Sequence, residues 1–253
     1  MSNDLIFKYS ELTKFLTHIK EKYHITTMGD WDGSKSIILR QDVDFDLKAA
    51  YDLSLIEKKI GVSSTFYVMT SSFTYNPMSR ENRKIIKEIN DMGFEIGLHF
   101  DPSIYGQLEE NDLQQKVDHE SKILSSITKT EVRSLSIHNP SVHGRYPIFE
   151  KYLNAYDDKI FSNGRYLSDS RMKFSTDIYE FVKSASTFPI QILLHPMYYT
   201  SEGLSLPEIF CRFVYYFTTQ IDVNYRVNST YNELMKTDLF TYILQNGCSN
   251  ELL

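Results

Sequence analysis

Asp42, Asp44 and Asp46 stand at alternate positions in the segment SIILRQDVDFD (Ser36 to Asp46), directly behind the branched apolar run Ile37, Ile38 and Leu39. Residues two apart in an extended chain point the same way, so Asp42 and Asp44 aim their carboxylates at one place. Like charges held together raise the free energy unless a cation, a proton or strong donors compensate them. The pair is therefore a candidate for metal binding or acid–base chemistry. Asp46 also reads as the N-cap of a following helix, where a short carboxylate accepts from the first free backbone N–H groups.

The same pattern recurs along the chain. His99 and Asp101 follow the run FEIGL, His138 follows VRSLSI and His195 follows IQILL. His18, His24, His119 and His143 read as structural or surface residues. Asp and His together suit a divalent ion such as Zn²⁺, with about three protein ligands and a position left for water. Such an ion lowers the pKa of water to about 7 and polarises a carbonyl. A nearby free carboxylate then acts as general base, and a histidine on the opposite side as general acid. The spacing of a strong metal motif such as HxxxH is absent.

These residues need a scaffold that gathers strand ends. Tyr9, Leu12, Phe15, Leu16 and Ile19 recur with helical spacing, as do Ala49, Leu53, Ile56 and Ile60 before Gly61. Two further stripes are Ile85, Ile86, Ile89 and Met92 before Gly93, and Leu113, Val117, Leu124 and Ile127. Between them lie strand-like runs at 37–39, 64–69, 94–98, 132–137 and 190–194, with shorter strands expected near 159–162 and 164–167. Strand, helix, strand with short connections implies parallel strands and right-handed crossovers, hence an open doubly wound sheet or a barrel. Parallel architectures of this kind build their sites at the C-terminal ends of the strands. A single domain over 1–253 is expected, with an N-terminal helical extension at 1–35 and a C-terminal helical tail at 207–253.

Composition narrows the partners. The 253 residues carry a net charge of -6 without a basic stripe, which argues against nucleic acid or an anionic membrane. Cys211 and Cys248 have no motif spacing and read as free thiols in a reducing compartment. No signal segment and no apolar run of bilayer length is present, so a soluble cytoplasmic protein without an integral membrane segment is expected.

The motif RQDVDFD, with GFEIGLHFDP (Gly93 to Pro102) and LLHP (Leu193 to Pro196), resembles the polysaccharide deacetylases with a NodB-homology domain, carbohydrate esterase family four. More particularly it resembles the divergent WbmS-like members found among genes for bacterial O-antigen and capsule synthesis. The resemblance runs from about Ile37 to Tyr199 and implies an α/β fold, an irregular (β/α) barrel of about seven parallel strands. It makes Asp42 the catalytic base, Asp44 and His99 metal ligands, and His195 the general acid. YLSDS (Tyr166 to Ser170) stands for a further motif, with Asp169 orienting a histidine. Two positions depart from the family. Ser103 replaces the second histidine ligand, so that Asp101, His138 or another residue must complete the shell. In SIHNP (Ser136 to Pro140), His138 replaces the arginine that orients the base, and so is a recruited ligand or a support to one. Asp101, Asn139 and Tyr198 are expected to contact substrate.

The resemblance implies hydrolysis of an N-acyl group, acetyl or formyl, from an amino sugar, with zinc the expected cofactor. A cytoplasmic location would suit a nucleotide-linked or lipid-linked sugar. Two rival readings stay open. One is a deacetylase-like domain that has lost catalysis and binds a glycan or a biosynthetic partner, motivated by Ser103 and the altered SIHNP. The other keeps the chemistry but acts on an ester or a cyclic amide. Trp31, Phe45, Phe100, Tyr105, Tyr198 and Tyr199 are expected near the mouth, where aromatic rings could stack on a sugar.

Overall fold

Ile37–Val43 is buried along its whole length because a strand flanks it on each edge and apolar side chains cover both faces. It is the second strand of a computed structural model that describes residues 7–107, 109–144, 146–162 and 164–247. Helix α1 (Tyr9–Lys22), β1 (Ile25–Thr26) and β2 (Ile37–Val43) open the chain. There follow α2 (Leu47–Ile60), β3 (Thr65–Val68), α3 (Arg80–Asp91), β4 (Glu95–Phe100), α4 (Glu110–Thr128) and β5 (Ser134–Ile137). The second half holds α5 (Pro140–His143), β6 (Leu153–Asn154), α6 (Asp158–Phe161), β7 (Tyr166–Ser168), α7 (Ile178–Phe181) and β8 (Ile190–Leu194).

The strands lie in the order β6-β5-β4-β3-β2-β8-β7, with β1 added beside β2, and every pairing is parallel. The sheet curls into an open half-barrel with flanking helices, the α/β NodB-like barrel class. Side chains record the curl. Arg40 on β2 donates to Ser136 Oγ on β5 at 2.6 Å, although three strand spacings of a flat sheet would separate them by about 14 Å. Tyr67 on β3 crosses the same interior to Ser134 Oγ on β5 at 3.0 Å. A Cβ at Gly97 would lie 2.4 Å from the Tyr67 ring, so the intervening strand leaves room for it with glycine.

Local chemistry sets the helix ends. Asp46 caps α2, accepting from Lys48 N at 2.8 Å and Ala49 N at 3.2 Å, as its sequence position suggests. Gly61 ends that helix in the left-handed region with φ 77°. Sequence and structure differ at 159–162, where the expected strand is the one-turn helix α6; Asp157 caps it by accepting from Lys159 N. The next strand is shifted to Tyr166–Ser168. Residues 7–35 contain a strand as well as a helix, because Ile25 and Thr26 extend the sheet beside Ile37 and Ile38.

By internal contacts the chain divides into two units, Met1–Gly203 and Leu204–Leu253. The first holds the half-barrel, with two apolar clusters on its sheet. The second consists, among the described residues, of α8 (Leu206–Tyr225), α9 (Ser229–Leu234) and α10 (Leu239–Asn246). Cys211 is a free exposed thiol on α8, and Cys248 lies outside the described residues. No helix among the described residues is long and apolar enough to cross a membrane.

One buried carboxyl makes the fold sensitive to pH. Glu57 on α2 accepts from Gln41 Nε2 at 2.7 Å and Ser64 Oγ at 2.5 Å, and neither neighbour is charged. Burial pushes its carboxyl up to about 8, against those two hydrogen bonds. In the unfolded chain the group ionises near 4.5. The neutral form that the fold prefers is therefore fully available below that pH, and its contribution is lost as pH rises through about 8. Wild-type stability against denaturant should fall by on the order of 3 kcal/mol between about pH 5 and pH 8 from this group. Glu57→Gln should remove that slope; an unchanged slope would show that the carboxyl ionises normally.

Candidate active site

Three strand ends contribute one donor atom each to a single point. Asp44 follows β2, His99 lies on β4 and His138 follows β5. Asp44 Oδ1 is 3.0 Å from His99 Nε2 and 3.4 Å from His138 Nδ1, and the two ring nitrogens are 3.2 Å apart. Donors in a tetrahedral zinc shell with bonds of about 2.0–2.1 Å stand about 3.3 Å from one another. The triangle has the size that such an ion requires. Asp44 Oδ1 is buried without a hydrogen bond of acceptable geometry, which further suits an atom facing a cation. Burial works against ionisation of Asp44, but His138 and His99 beside it hold its carboxyl well below the usual range. His138 in turn is desolvated, yet Asp44 raises its pKa.

His138 reaches the cluster through backbone geometry. Its N–H donates to Phe100 O at 2.8 Å, continuing the β4–β5 pairing past Ile137. The next residue, Asn139, takes φ 46° and ψ 44°, a left-handed conformation that Asn tolerates better than most residues. The Asn139 amide lies 2.9 Å from His138 Nε2. Binding an ion through Nδ1 requires Nε2–H to donate, and the amide accepts that bond with its oxygen turned toward the ring.

Asp42 stands beside this cluster, its Oδ2 3.7 Å from His99 Nε2. Arg40, two residues earlier on the same face of β2, donates from Nε to Asp42 Oδ1 at 3.1 Å and from Nη2 to Oδ2 at 2.6 Å. Nη1 donates to Gln191 Oε1 at 2.9 Å, and Nη2 also lies 2.6 Å from Ser136 Oγ and 3.2 Å from Tyr156 OH. Burial penalises the Asp42 carboxylate, but Arg40 and His99 hold its pKa down, so it is charged at neutral pH. Arg40, on β2 itself, thus orients Asp42. The signal was in the sequence: a long cation inside a buried run, two positions before an acid, needs a partner on its own face.

On the far side of the cluster, Asp169 is fully buried and accepts three hydrogen bonds. They come from His195 Nδ1 at 2.5 Å, His195 N at 2.9 Å and Tyr199 OH at 3.0 Å. This leaves His195 Nε2 aimed at the cluster, 3.7 Å from Asp44 Oδ2. Burial lowers the His195 pKa, but Asp169 more than offsets it and raises the ring to about 9.

The cleft above these groups measures 210 Å³ and is lined by Asp42, Asp44, His99, His138, Asn139 and His195 together with an aromatic wall. The wall is built by Tyr146, Tyr156, Phe161 and Tyr166, whose rings lie edge to face or tilted at 4.6–5.7 Å. These rings were not read from the sequence, because their segment lacks regular periodicity. None of the aromatics expected at the mouth is among the residues that line the cleft. Trp31 precedes β2, donates from Nε1 to Ser34 O at 3.0 Å and packs against the apolar cluster that includes Met28. Phe100 is buried against Tyr105 and Phe149. Tyr105 donates to Glu120, Phe45 meets Phe73, and Tyr199 is committed to Asp169.

The other expected contacts divide likewise. Asp101 caps the 3₁₀ turn at Pro102–Tyr105, accepting from Ser103 N at 2.9 Å and Ser103 Oγ at 2.6 Å. Neither Asp101 nor Ser103 lines the cleft. Tyr198 packs its ring 5.2 Å from that of His195 and does not line the cleft. Asn139 lines the cleft and braces His138. The side chain of His143 lies outside the described residues.

No protein-family model matches the chain, and no curated protein matches it. Among solved structures it is similar to a CE4 family pseudoenzyme from Bacillus anthracis, at 17% identity and a TM-score of 0.45, over 71% of this chain and 60% of that one. It is also similar to the Xyl-CE4 domain of a multidomain xylanase from the hindgut metagenome of Trinervitermes trinervoides, at 14% identity and a TM-score of 0.44, over 70% and 89%. A third is the peptidoglycan deacetylase PdaC from Bacillus subtilis, at 16% identity and a TM-score of 0.42, over 72% and 83%. The chain spans 60–62% of the length of the Bacillus anthracis structures.

The geometry makes His138, not Asp101 or Ser103, the third candidate ligand beside Asp44 and His99. His138→Ala should weaken zinc binding by about 100-fold or more, measured by competition with a chromogenic chelator, whereas Asp101→Asn should leave it within a few-fold. The reverse pattern would move the third ligand to Asp101.

Proposed function

We propose that this chain is a metal-dependent hydrolase that removes an N-acyl group, acetyl or formyl, from an amino sugar in bacterial surface polysaccharide biosynthesis. The observation that carries this reading is the flanking of one Asp–His–His cluster by two separately braced proton-handling groups, Asp42 held by Arg40 and His195 held by Asp169. Amide hydrolysis needs both: a base for the attacking water and an acid for the departing nitrogen.

A divalent ion held by Asp44, His99 and His138 would supply Lewis acidity at the acyl carbonyl and make water a better nucleophile. The bidentate contact with Arg40 fixes the Asp42 carboxylate in orientation and charge, so that it accepts the proton from the attacking water. His195 keeps Nδ1–H on Asp169 and presents Nε2–H to the leaving nitrogen; its raised pKa keeps that proton in place at neutral pH. The aromatic wall offers ring faces to the sugar, and a cleft of 210 Å³ suits one sugar unit. A nucleotide-linked or lipid-linked sugar presents such a unit at an accessible end, and zinc is the expected ion. The rival reading, a binding module without catalysis, was motivated by Ser103 and by the altered SIHNP. His138 and Arg40 take over the two roles that those changes removed.

Release of acetate or formate from nucleotide-linked N-acyl amino sugars tests the reading. Asp42→Asn should lower turnover by about 1,000-fold or more with metal content unchanged; full activity in that variant would remove Asp42 as base. His195→Ala should keep its metal and lose about 100- to 10,000-fold in rate, whereas loss of metal would make His195 a ligand. Arg40→Lys keeps the charge but not the fork, and should lower kcat by about 10- to 100-fold at little changed KM. If the wild type with bound zinc turns over no acylated amino sugar, the binding-module reading stands instead.

A further inference from the structure

Helix α8 carries a feature that the cleft does not use. Phe210, Val214, Phe217 and Ile221 follow one another at intervals of four, three and four residues, and so fall within about 60° of arc on the helix. Read as a heptad they occupy d, a, d and a, the seam of a two-stranded coiled coil. They are 38%, 53%, 43% and 38% exposed, more than a seam buried within the unit would allow. The neighbouring helix meets α8 elsewhere: Phe240 of α10 packs edge-on against Tyr215 at 5.0 Å, well round the helix from the stripe.

We propose that this stripe is a self-association surface, on which two copies of the chain pack their α8 helices antiparallel. Area supports a second copy as the occupant. At about 150–250 Å² per large side chain, the four residues with the adjacent Tyr225 leave roughly 500 Å² of apolar surface in water. Two copies burying this surface fully together reach the ~1,000 Å² that a specific interface has to clear.

Charge distribution points the same way. The half of α8 centred on the stripe has no charged residue; Glu208, Arg212 and Asp222 all lie outside it. A helix lying on a lipid surface would carry Lys and Arg along the flanks of its apolar face, whereas depletion of charge around an apolar centre is the pattern of protein interfaces.

Side-chain sizes select the orientation. In an antiparallel pair, Phe210 faces Ile221 of the second copy and Val214 faces its Phe217. Every layer then joins an aromatic ring to a β-branched residue of smaller volume. A parallel pair would instead oppose Phe to Phe and Val to Val, crowding two layers and leaving two loose. Antiparallel helices also align their dipoles favourably.

The full chain should sediment as a dimer at micromolar concentration. Phe217→Glu and Val214→Lys should each weaken association by about 100-fold or more. An equimolar mixture of the two variants should recover dimer, because only the antiparallel register sets the introduced lysine of one copy opposite the introduced glutamate of the other. Recovery also shows that both variants are folded. A wild type that sediments as a monomer, whether or not phosphatidylcholine–phosphatidylserine vesicles capture it, overturns the proposal, as does a dimer whose mass neither substitution alters. Dimerisation lost in both variants and not recovered on mixing overturns the antiparallel register.

Discussion

A buried ion pair on one strand organises the cleft end of the molecule. Arg40 and Asp42 are both removed from water, and desolvation costs several kcal/mol per ion unless the remaining donors are matched. Here they are matched by Gln191 on β8, Ser136 on β5 and Tyr156 beyond β6. Those partners belong to strands on both sides of β2, so satisfying one guanidinium requires the sheet to curl. The curl in turn brings the ends of β2, β4 and β5 close enough for Asp44, His99 and His138 to share a point. The pair that fixes Asp42 therefore also constrains the half-barrel that carries the candidate ligands.

The site uses one device twice. A carboxylate and its partner are locked by burial and several hydrogen bonds, and only one atom is left facing the cleft. Asp42 is held by an arginine and remains a charged acceptor. His195 is held by a carboxylate and remains a donor. Environments that push two titratable groups in opposite directions assign them opposite proton-transfer roles. Asp169 achieves its part with every one of its contacts inside the fold, since both oxygens are engaged by His195 and Tyr199. The bracing of His138 by Asn139 follows the same logic, a neighbour fixing which nitrogen is free to bind.

Ser103 turns back to Asp101 outside the cleft, and His138, after the strand next to β4, stands beside His99. Asp42 is oriented by an arginine of its own strand, at the position two residues before it. Parallel strands bring their C-terminal ends to one edge, so a donor lost from one can be supplied by its neighbour at nearly the same place.

Local periodicity was enough to specify the alternation of strands and helices through Ile137, the helix ends at Asp46 and Gly61, and the parallel class of the sheet, because each depends on residues near in sequence. It also marked Asp42, Asp44, His99, His138 and His195, since an ionisable residue directly after a buried run must emerge at a strand end. The third candidate ligand was less sharply marked: His138 was expected in the shell and Asp101 at the substrate, with Asp101 an alternative for the shell, and the left-handed turn at Asn139 and the curl of the sheet place His138 in the cleft and Asp101 at a helix cap. Arg40, Gln191, Ser136 and Tyr156 meet only in the folded chain, across sequence separations of 96 to 151 residues. The aromatic wall arises from 146–166, where no period distinguishes core from cleft. Contacts of that kind follow from register and curvature, which depend on the whole sheet, and so they are settled by the tertiary structure alone.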